Sequence, residues 1–181
     1  MCGIVGYVGD KFAVDVLIDG LSHLEYRGYD SSGVALMTEN GINIFKAPGK
    51  LSNLIQKLRE EEKEKIESHM GIGHIRWATH GLPTAVNAHP HCCNCGGLTL
   101  VHNGIIENYK EIKEVLIKKG CVFKSQTDTE VAAHLIAMEY GKCHDLKEAV
   151  SAAVKQLKGA WAFCVMHKNE PFNIVATRKN A

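Results

Sequence analysis

The 181 residues predict an α+β fold, because strand-type and helix-type segments come in groups instead of alternating one for one. A strand, a helix and a pair of strands come first; further strands, adjacent helices and a last strand pair follow. The length suits one domain with a sizeable core, and no repeat, low-complexity tract or linker divides it, so residues 1–181 read as a single domain.

Gly3–Gly9 (GIVGYVG) reads as a buried strand whose glycines permit close packing. From Lys11 to Tyr26, Val14, Leu17, Ile18, Leu21 and Leu24 recur at helical spacing and predict an amphipathic helix. Gly33–Met37 and Ile42–Lys46 flank Glu39-Asn40-Gly41, a hairpin signal. Leu51 to about Leu58 predicts a second helix, and the charged run Arg59–Lys65 a solvated surface segment. Gly71–Trp77 and Leu98–Asn103 read as strands. The segment 78–97 between them is longer than a mere connection needs, and such loops commonly carry function. Tyr109–Lys119 is a helix closed by Gly120. Thr127-Asp128-Thr129-Glu130 has the form of a capping box for a helix ending near Tyr140-Gly141, and Asp145-Leu146-Lys147-Glu148 repeats the start signal for a helix to about Leu157. Trp161–His167 and Phe172–Thr177 are the last predicted strands.

Lys and Arg number 21 against 20 Asp and Glu, and the resulting +1 charge gives no pull toward nucleic acid or an anionic membrane. No apolar run approaches the ~18 residues of a membrane span and no signal-peptide pattern precedes Cys2, so a cytosolic location is expected. Seven cysteines, an odd number with no secretion signal, argue for free thiols rather than a disulfide framework. The oligomeric state stays open, a homodimer included.

The first residues carry chemistry. Methionine before a small residue is ordinarily removed, which would leave Cys2 with a thiol and a free α-amine on one residue. The amine titrates near ~7.7–8.0 and can serve as a base, while a thiolate is a strong nucleophile. Polar, glycine-containing clusters sit at the predicted strand ends: Glu25-Tyr26-Arg27-Gly28-Tyr29-Asp30, His74-Ile75-Arg76-Trp77-Ala78-Thr79-His80-Gly81, Asn87-Ala88-His89-Pro90-His91, Val101-His102-Asn103-Gly104-Ile105-Ile106-Glu107-Asn108 and Thr127-Asp128-Thr129-Glu130. Any one of them could be a turn, and Asn103-Gly104 alone would read as a type I′ hairpin turn.

Together, in this order and behind Cys-Gly-Ile-Val-Gly, they resemble the glutaminase domain of class II glutamine amidotransferases, which are N-terminal nucleophile hydrolases; the wording is nearest to the hexosamine-forming branch. The likeness runs over essentially the whole chain. It implies a four-layer α/β/β/α sandwich with the cysteine at the end of a central strand, and the last C-terminal strands of that fold are expected to be missing. It implies hydrolysis of L-glutamine to glutamate and ammonia, with Cys2 as nucleophile and the Asn103 side chain and Gly104 amide as oxyanion hole. Arg76 would bind the substrate carboxylate, with Thr79 and the backbone at His80 adding hydrogen bonds. Asp128, with the backbone at Gly104, would take the ammonium. Arg27 would order the region near the cysteine, and Trp77 would either retain ammonia or fill the core. His80, His89 and His102 match family positions but are not needed as the base. No cofactor is implied. In this branch the ammonia passes to a sugar-isomerase domain that aminates fructose 6-phosphate, and no such domain lies within residues 1–181.

Two rival readings remain: a catalytically incompetent remnant or interaction module, and a metal- or redox-responsive module built on Cys92, Cys93 and Cys95. The run His89, His91, Cys92, Cys93, Cys95 has soft ligands suited to zinc or copper, but no second cysteine pair completes the usual zinc pattern. No metal is expected there, and oxidation-prone thiols are.

Overall fold

The computed structural model describes residues 2–27, 30–60, 66–77 and 84–181. Two antiparallel four-stranded sheets face each other. The first has the order β1-β4-β2-β3, from β1 (Gly3–Val8), β2 (Ser31–Thr38), β3 (Gly41–Pro48) and β4 (Met70–Arg76). The second has the order β5-β6-β7-β8, from β5 (His91–Cys92), β6 (Leu98–Ile106), β7 (Gly159–His167) and β8 (Ile174–Lys179). Helices α1 (Ala13–Ser22) and α2 (Leu51–Glu60) cover the outer face of the first sheet. Helices α3 (Tyr109–Lys118), α4 (Asp128–Cys143) and α5 (Leu146–Val154) cover the outer face of the second. Apolar residues inside each helix–sheet pair and between the sheets give three cores, hence the four layers α/β/β/α.

Side-chain alternation along the strands decides what each layer receives. On β4, Gly71, Gly73 and Ile75 face α1, and a Cβ on Gly71 would stand 2.8 Å from Leu17 Cδ1, so these glycines let the helix lie close. Met70 and Ile72 therefore face the other sheet, joined there by Ala35, Val101, Cys164 and Met166. The same alternation turns His74 and Arg76 inward. On β1, Val5 and Tyr7 pack toward α1 while Ile4 packs between the sheets, which carries Cys2 to the inter-sheet side. On β6, Leu98, Leu100 and Ile106 meet the helices while Val101 meets the first sheet, so Asn103 shares that inner side.

The elements follow the sequence reading with shifted ends. The predicted helix over 11–26 is ten residues long and is followed by a 3-10 turn, Glu25–Arg27. Phe12 caps it with extended backbone, and the Leu24 amide already bonds back to Leu21 O as in a tighter turn. The segment 78–97 contains a strand, β5, that pairs His91 with Leu100 and Cys92 with Thr99. The β2–β3 hairpin turns on Glu39 and Asn40, with Gly41 at φ +109° opening β3. Strand β1, expected in the middle of its sheet, is at the edge, flanked by β4 alone among the described residues. Residues 61–65 of the predicted charged segment lie outside the described residues. Among the described residues no helix is long and apolar enough to cross a membrane.

Candidate active site

A cleft of about 490 Å³ opens where the two sheets meet, lined by Cys2, Arg76, Trp77, His89, His102, Asn103, Gly104, Ile105, Thr127, Asp128, Thr129, Ala162 and Ala181. Four elements deliver these groups. The start of β1 brings Cys2, the end of β4 brings Arg76 and Trp77, the inner face of β6 brings Asn103 and Gly104, and the first turn of α4 brings Asp128. Cys2 is half-buried; the Trp77 amide donates to its Sγ at 3.2 Å, and the thiol lies 3.5 Å from Trp77 O. These contacts tie the chain start to the end of β4. The Trp77 side chain is 48% exposed, so the core alternative for it is overturned: it stands at the cleft, not in the interior.

Arg76 is only 4% exposed. Burial pulls its pKa down, opposed by the nearby charges of Cys2, Asp30 and Asp128, which favour the guanidinium. The Asp30 amide donates to Arg76 O at 3.0 Å and fixes this end of β4 against the start of β2.

Asn103 and Gly104 lie inside β6, paired with Ala162 and Trp161 of β7, and are not a hairpin turn. Gly104 has φ +126°, and a Cβ there would run directly onto the Ala160 carbonyl oxygen, so only glycine fits. The Asn103 side chain is oriented by His74. His74 Nε2 lies 3.0 Å from His102 O and 2.9 Å from Asn103 Oδ1. A carbonyl oxygen can only accept, so Nε2 must carry the proton. The same N–H therefore meets the Asn103 oxygen, and the Asn103 amide NH2 is directed away from it. Burial drives the His74 pKa down to about 3, against the hydrogen bonds to Asn103 and His102 O, so the ring is a neutral donor at physiological pH.

Around this pair sits a layer of buried histidines. His89 stacks on His74 with ring centroids 4.2 Å apart, and both His89 Nε2 and His102 Nδ1 lie 2.9 Å from Thr129 Oγ1. His91 Nε2 is 3.1 Å from Thr127 Oγ1. Burial holds His89 well below its ordinary range, His91 at about 3 and His102 at about 4, the last opposed by the Asp128 charge. The histidines thus grip the N-terminus of α4 from the sheet side. Gly33 makes room for this loop: a Cβ there would collide with the His89 carbonyl oxygen.

Asp128 Oδ2 accepts the Ile106 amide at 2.8 Å, while Oδ1 faces His102 Nδ1 at 3.9 Å and Thr129 Oγ1 at 3.5 Å. The capping box is half formed. Thr127 Oγ1 accepts the Glu130 amide at 3.4 Å, but the Glu130 carboxylate turns to the amides of Lys124 (2.9 Å) and Ser125 (2.6 Å) and to Ser125 Oγ (2.7 Å). The Thr127 amide is instead taken by Ser125 Oγ at 3.3 Å. A serine two residues upstream outcompetes the side chain expected to close the box.

Of the residues singled out in the sequence, Cys2, Arg76, Trp77, His89, His102, Asn103, Gly104 and Asp128 converge on one cleft. Thr79 and His80 lie outside the described residues, and Arg27 ends the 3-10 turn with its side chain outside the description. The metal-type run is dispersed over separate contacts: His89 and His91 to threonines, Cys93 to Cys95. Among the described residues no group of three His, Cys, Asp or Glu gathers as a metal site. The sequence marks Thr127 as a helix cap but not as the partner of His91, and it does not mark the positioning roles of His74 and Thr129; the i, i+2 spacing of His74 and Arg76 on one strand is the available signal.

The four-layer fold superposes on a solved amidotransferase, which sets the class. A glutamine phosphoribosylpyrophosphate amidotransferase from B. subtilis, complexed with ADP and GMP, matches with a TM-score of 0.80 and 27% identity over 99% of this chain and 37% of that one. A structure described as the allosteric regulatory enzyme of purine biosynthesis matches with a TM-score of 0.77 and 29% identity, over 93% of this chain and 36% of its own. Residues 74–180 match the glutamine amidotransferase domain model, and the chain belongs to that family. Among curated proteins it is 51% identical to an isomerizing glutamine–fructose-6-phosphate aminotransferase of Clostridium perfringens over 181 residues, all of this chain and 29% of the relative. A protein of the same name from Thermus thermophilus is 52% identical over 178 residues, 98% of this chain and 28% of its own. The chain thus spans under a third of these relatives' length.

Proposed function

We propose that this chain is a glutaminase domain that hydrolyses L-glutamine to glutamate and ammonia, the ammonia-supplying half of glucosamine-6-phosphate synthesis. The observation that carries the reading is the convergence of the Cys2 thiol, the His74-oriented Asn103 amide, Arg76 and Asp128 on one cleft.

Cys2 Sγ attacks the side-chain amide carbon of glutamine. The Asn103 NH2 and the Gly104 amide receive the negative charge that develops on the amide oxygen; one such donor is worth ~3–4 kcal/mol in related acyl-transfer sites. Once Met1 is gone, the Cys2 α-amine passes the thiol proton to the leaving nitrogen, the C–N bond breaks and ammonia departs. Water then attacks the γ-glutamyl thioester, releasing glutamate and restoring the thiol. At the other end of the substrate, the Arg76 guanidinium suits a carboxylate in bidentate fashion and Asp128 suits the ammonium. Arg76 is buried beside Cys2, Asp30 and Asp128, whose charges favour the guanidinium that a carboxylate ligand would need. Thr79 and His80 would complete the carboxylate subsite, Arg27 would order the chain start, and Trp77 would shield the leaving ammonia from solvent.

In the relatives' name the acceptor is fructose 6-phosphate, and here that step would fall to a sugar-isomerase domain outside residues 1–181. A cytoplasmic setting suits catalysis by a reduced thiol. Glutamate release from glutamine by wild type and by Cys2→Ala tests the reading: wild type turns over and the variant does not, whereas equal rates would remove the cysteine from the mechanism.

A further inference from the structure

Away from the cleft, the turn between β5 and β6 brings two thiols together. Cys93 Sγ and Cys95 Sγ are 3.0 Å apart. The Gly96 amide closes the turn on Cys93 O at 3.0 Å, with Gly96 at φ +65°. Asn94, between the cysteines, is held from outside by two bonds to Val122: its Nδ2 donates to Val122 O at 2.8 Å and its Oδ1 accepts the Val122 amide at 2.9 Å. The Leu98 amide points at Cys93 Sγ from 3.4 Å. The turn is therefore fixed on both sides with its sulfurs facing each other.

The two thiols differ in kind. Cys93 is 4% exposed, and Cys95 is open to solvent. Burial opposes ionisation of Cys95, but the Cys93 thiol, the amides of Gly97 and Cys95 and the charge of Lys168 outweigh it and hold that thiol below its ordinary range. Burial, then the bond to Cys95, pushes the Cys93 thiol up. An accessible sulfur that yields its proton next to a buried one that keeps it is the division between an attacking and a resolving thiol.

We propose that Cys93 and Cys95 are a hydroperoxide-reactive dithiol that closes reversibly into an intrachain disulfide. The Cys95 thiolate attacks the terminal oxygen of a hydroperoxide, the O–O bond breaks, and the alkoxide takes up a proton and leaves as the alcohol (water, from hydrogen peroxide). Cys95 is now a sulfenic acid. Cys93 sulfur attacks Cys95 sulfur, the S–S bond forms as the S–O bond breaks, and the departing hydroxide combines with the Cys93 proton as water. Two electrons pass from the thiols to the peroxide, and a small-molecule thiol reverses the closure. A bond of about 2.05 Å asks the sulfurs to approach by roughly 1 Å, which rotation of two side chains on one turn supplies. Neither cysteine lines the cleft that holds Cys2, so the proposal stands apart from the glutamine chemistry.

The test treats the whole chain with stoichiometric hydrogen peroxide, blocks remaining thiols with iodoacetamide and maps peptides by tandem mass spectrometry. The peptide bearing Cys92, Cys93 and Cys95 should emerge two hydrogens lighter with only Cys92 alkylated, and dithiothreitol should restore all three thiols. Cys92→Ser should keep the closure and Cys95→Ser abolish it. Cys93→Ser should leave Cys95 as a sulfenic acid that dimedone captures. Full alkylation of all three cysteines in wild type after peroxide overturns the proposal, as does a bond from Cys95 to Cys92 or to any sulfur other than Cys93.

Discussion

Acidification from pH 7.5 to 5.5 should weaken this fold through four histidines. His74, His89, His91 and His102 are buried and neutral, with pKa values of about 3 for His74 and His91, about 4 for His102 and well below the ordinary value for His89. In the unfolded chain each titrates near ~6.5. Above that value neither state binds a proton at these rings. Below it the unfolded chain takes protons that the native one refuses, so stability is lost as pH falls from about 6.5 toward the native values. Between pH 7.5 and 5.5 the linkage integral is on the order of 1 kcal/mol per histidine, and roughly 5 kcal/mol for the four together. That is comparable with the whole stability of an ordinary domain. Glu130 does not interfere: burial opposes its ionisation, but its hydrogen bonds bring its pKa to about 2, and its contribution is lost only below the ordinary carboxylate range. Urea unfolding followed by fluorescence at pH 7.5, 6.5 and 5.5 reads the effect, and replacing His91 by Gln should remove about a quarter of the dependence. A stability unchanged over this range would mean that the four rings accept protons in the native state, and the neutral form assigned to His74 would go with it.

Two further predictions concern the cleft. His74→Leu should lower kcat for glutamine hydrolysis by ~10²–10³ with KM nearly unchanged, because it frees the Asn103 amide rather than the substrate clamp. His74→Gln, which can still donate to Asn103 Oδ1, should recover part of that loss; parallel rises in KM in both variants would show a structural role instead. Asp128→Asn should raise KM for glutamine tenfold or more while holding urea stability within about 1 kcal/mol, because a side-chain oxygen can still accept the Ile106 amide. An unchanged KM would take the ammonium role away from Asp128.

Much of this architecture was legible in the chain. Apolar periodicity marked α1, helix start and stop signals marked α3, α4 and α5, and a turn signal marked the β2–β3 hairpin, whereas β5 has two residues, too few for a pattern, and pairs only because β6 offers an edge. The cleft was legible as a set of residues and not as a mechanism of support. Cys2, Arg76, Asn103, Gly104 and Asp128 stood out as strand-end and helix-start motifs, but His74 holds Asn103 across two sheets that sequence spacing cannot relate. The capping of α4 misled in the same way. Thr127 and Glu130 have the right spacing, and only the tertiary placement of Ser125 decides that the carboxylate serves the preceding turn. Trp77 had two readings that composition could not separate, and its exposed place one residue beyond the end of β4 removes the core one.

Cys2, as the first residue of the processed chain, should carry a γ-glutamyl thioester during turnover. Mixing the protein with isotopically labelled glutamine, quenching in acid within a single turnover and mapping the N-terminal peptide measures this and the terminal residue at once. The expected peptide begins at Cys2 and bears a labelled γ-glutamyl group on sulfur, removable by hydroxylamine. A chain that turns over glutamine with Met1 still attached, or with no label on Cys2, would contradict it.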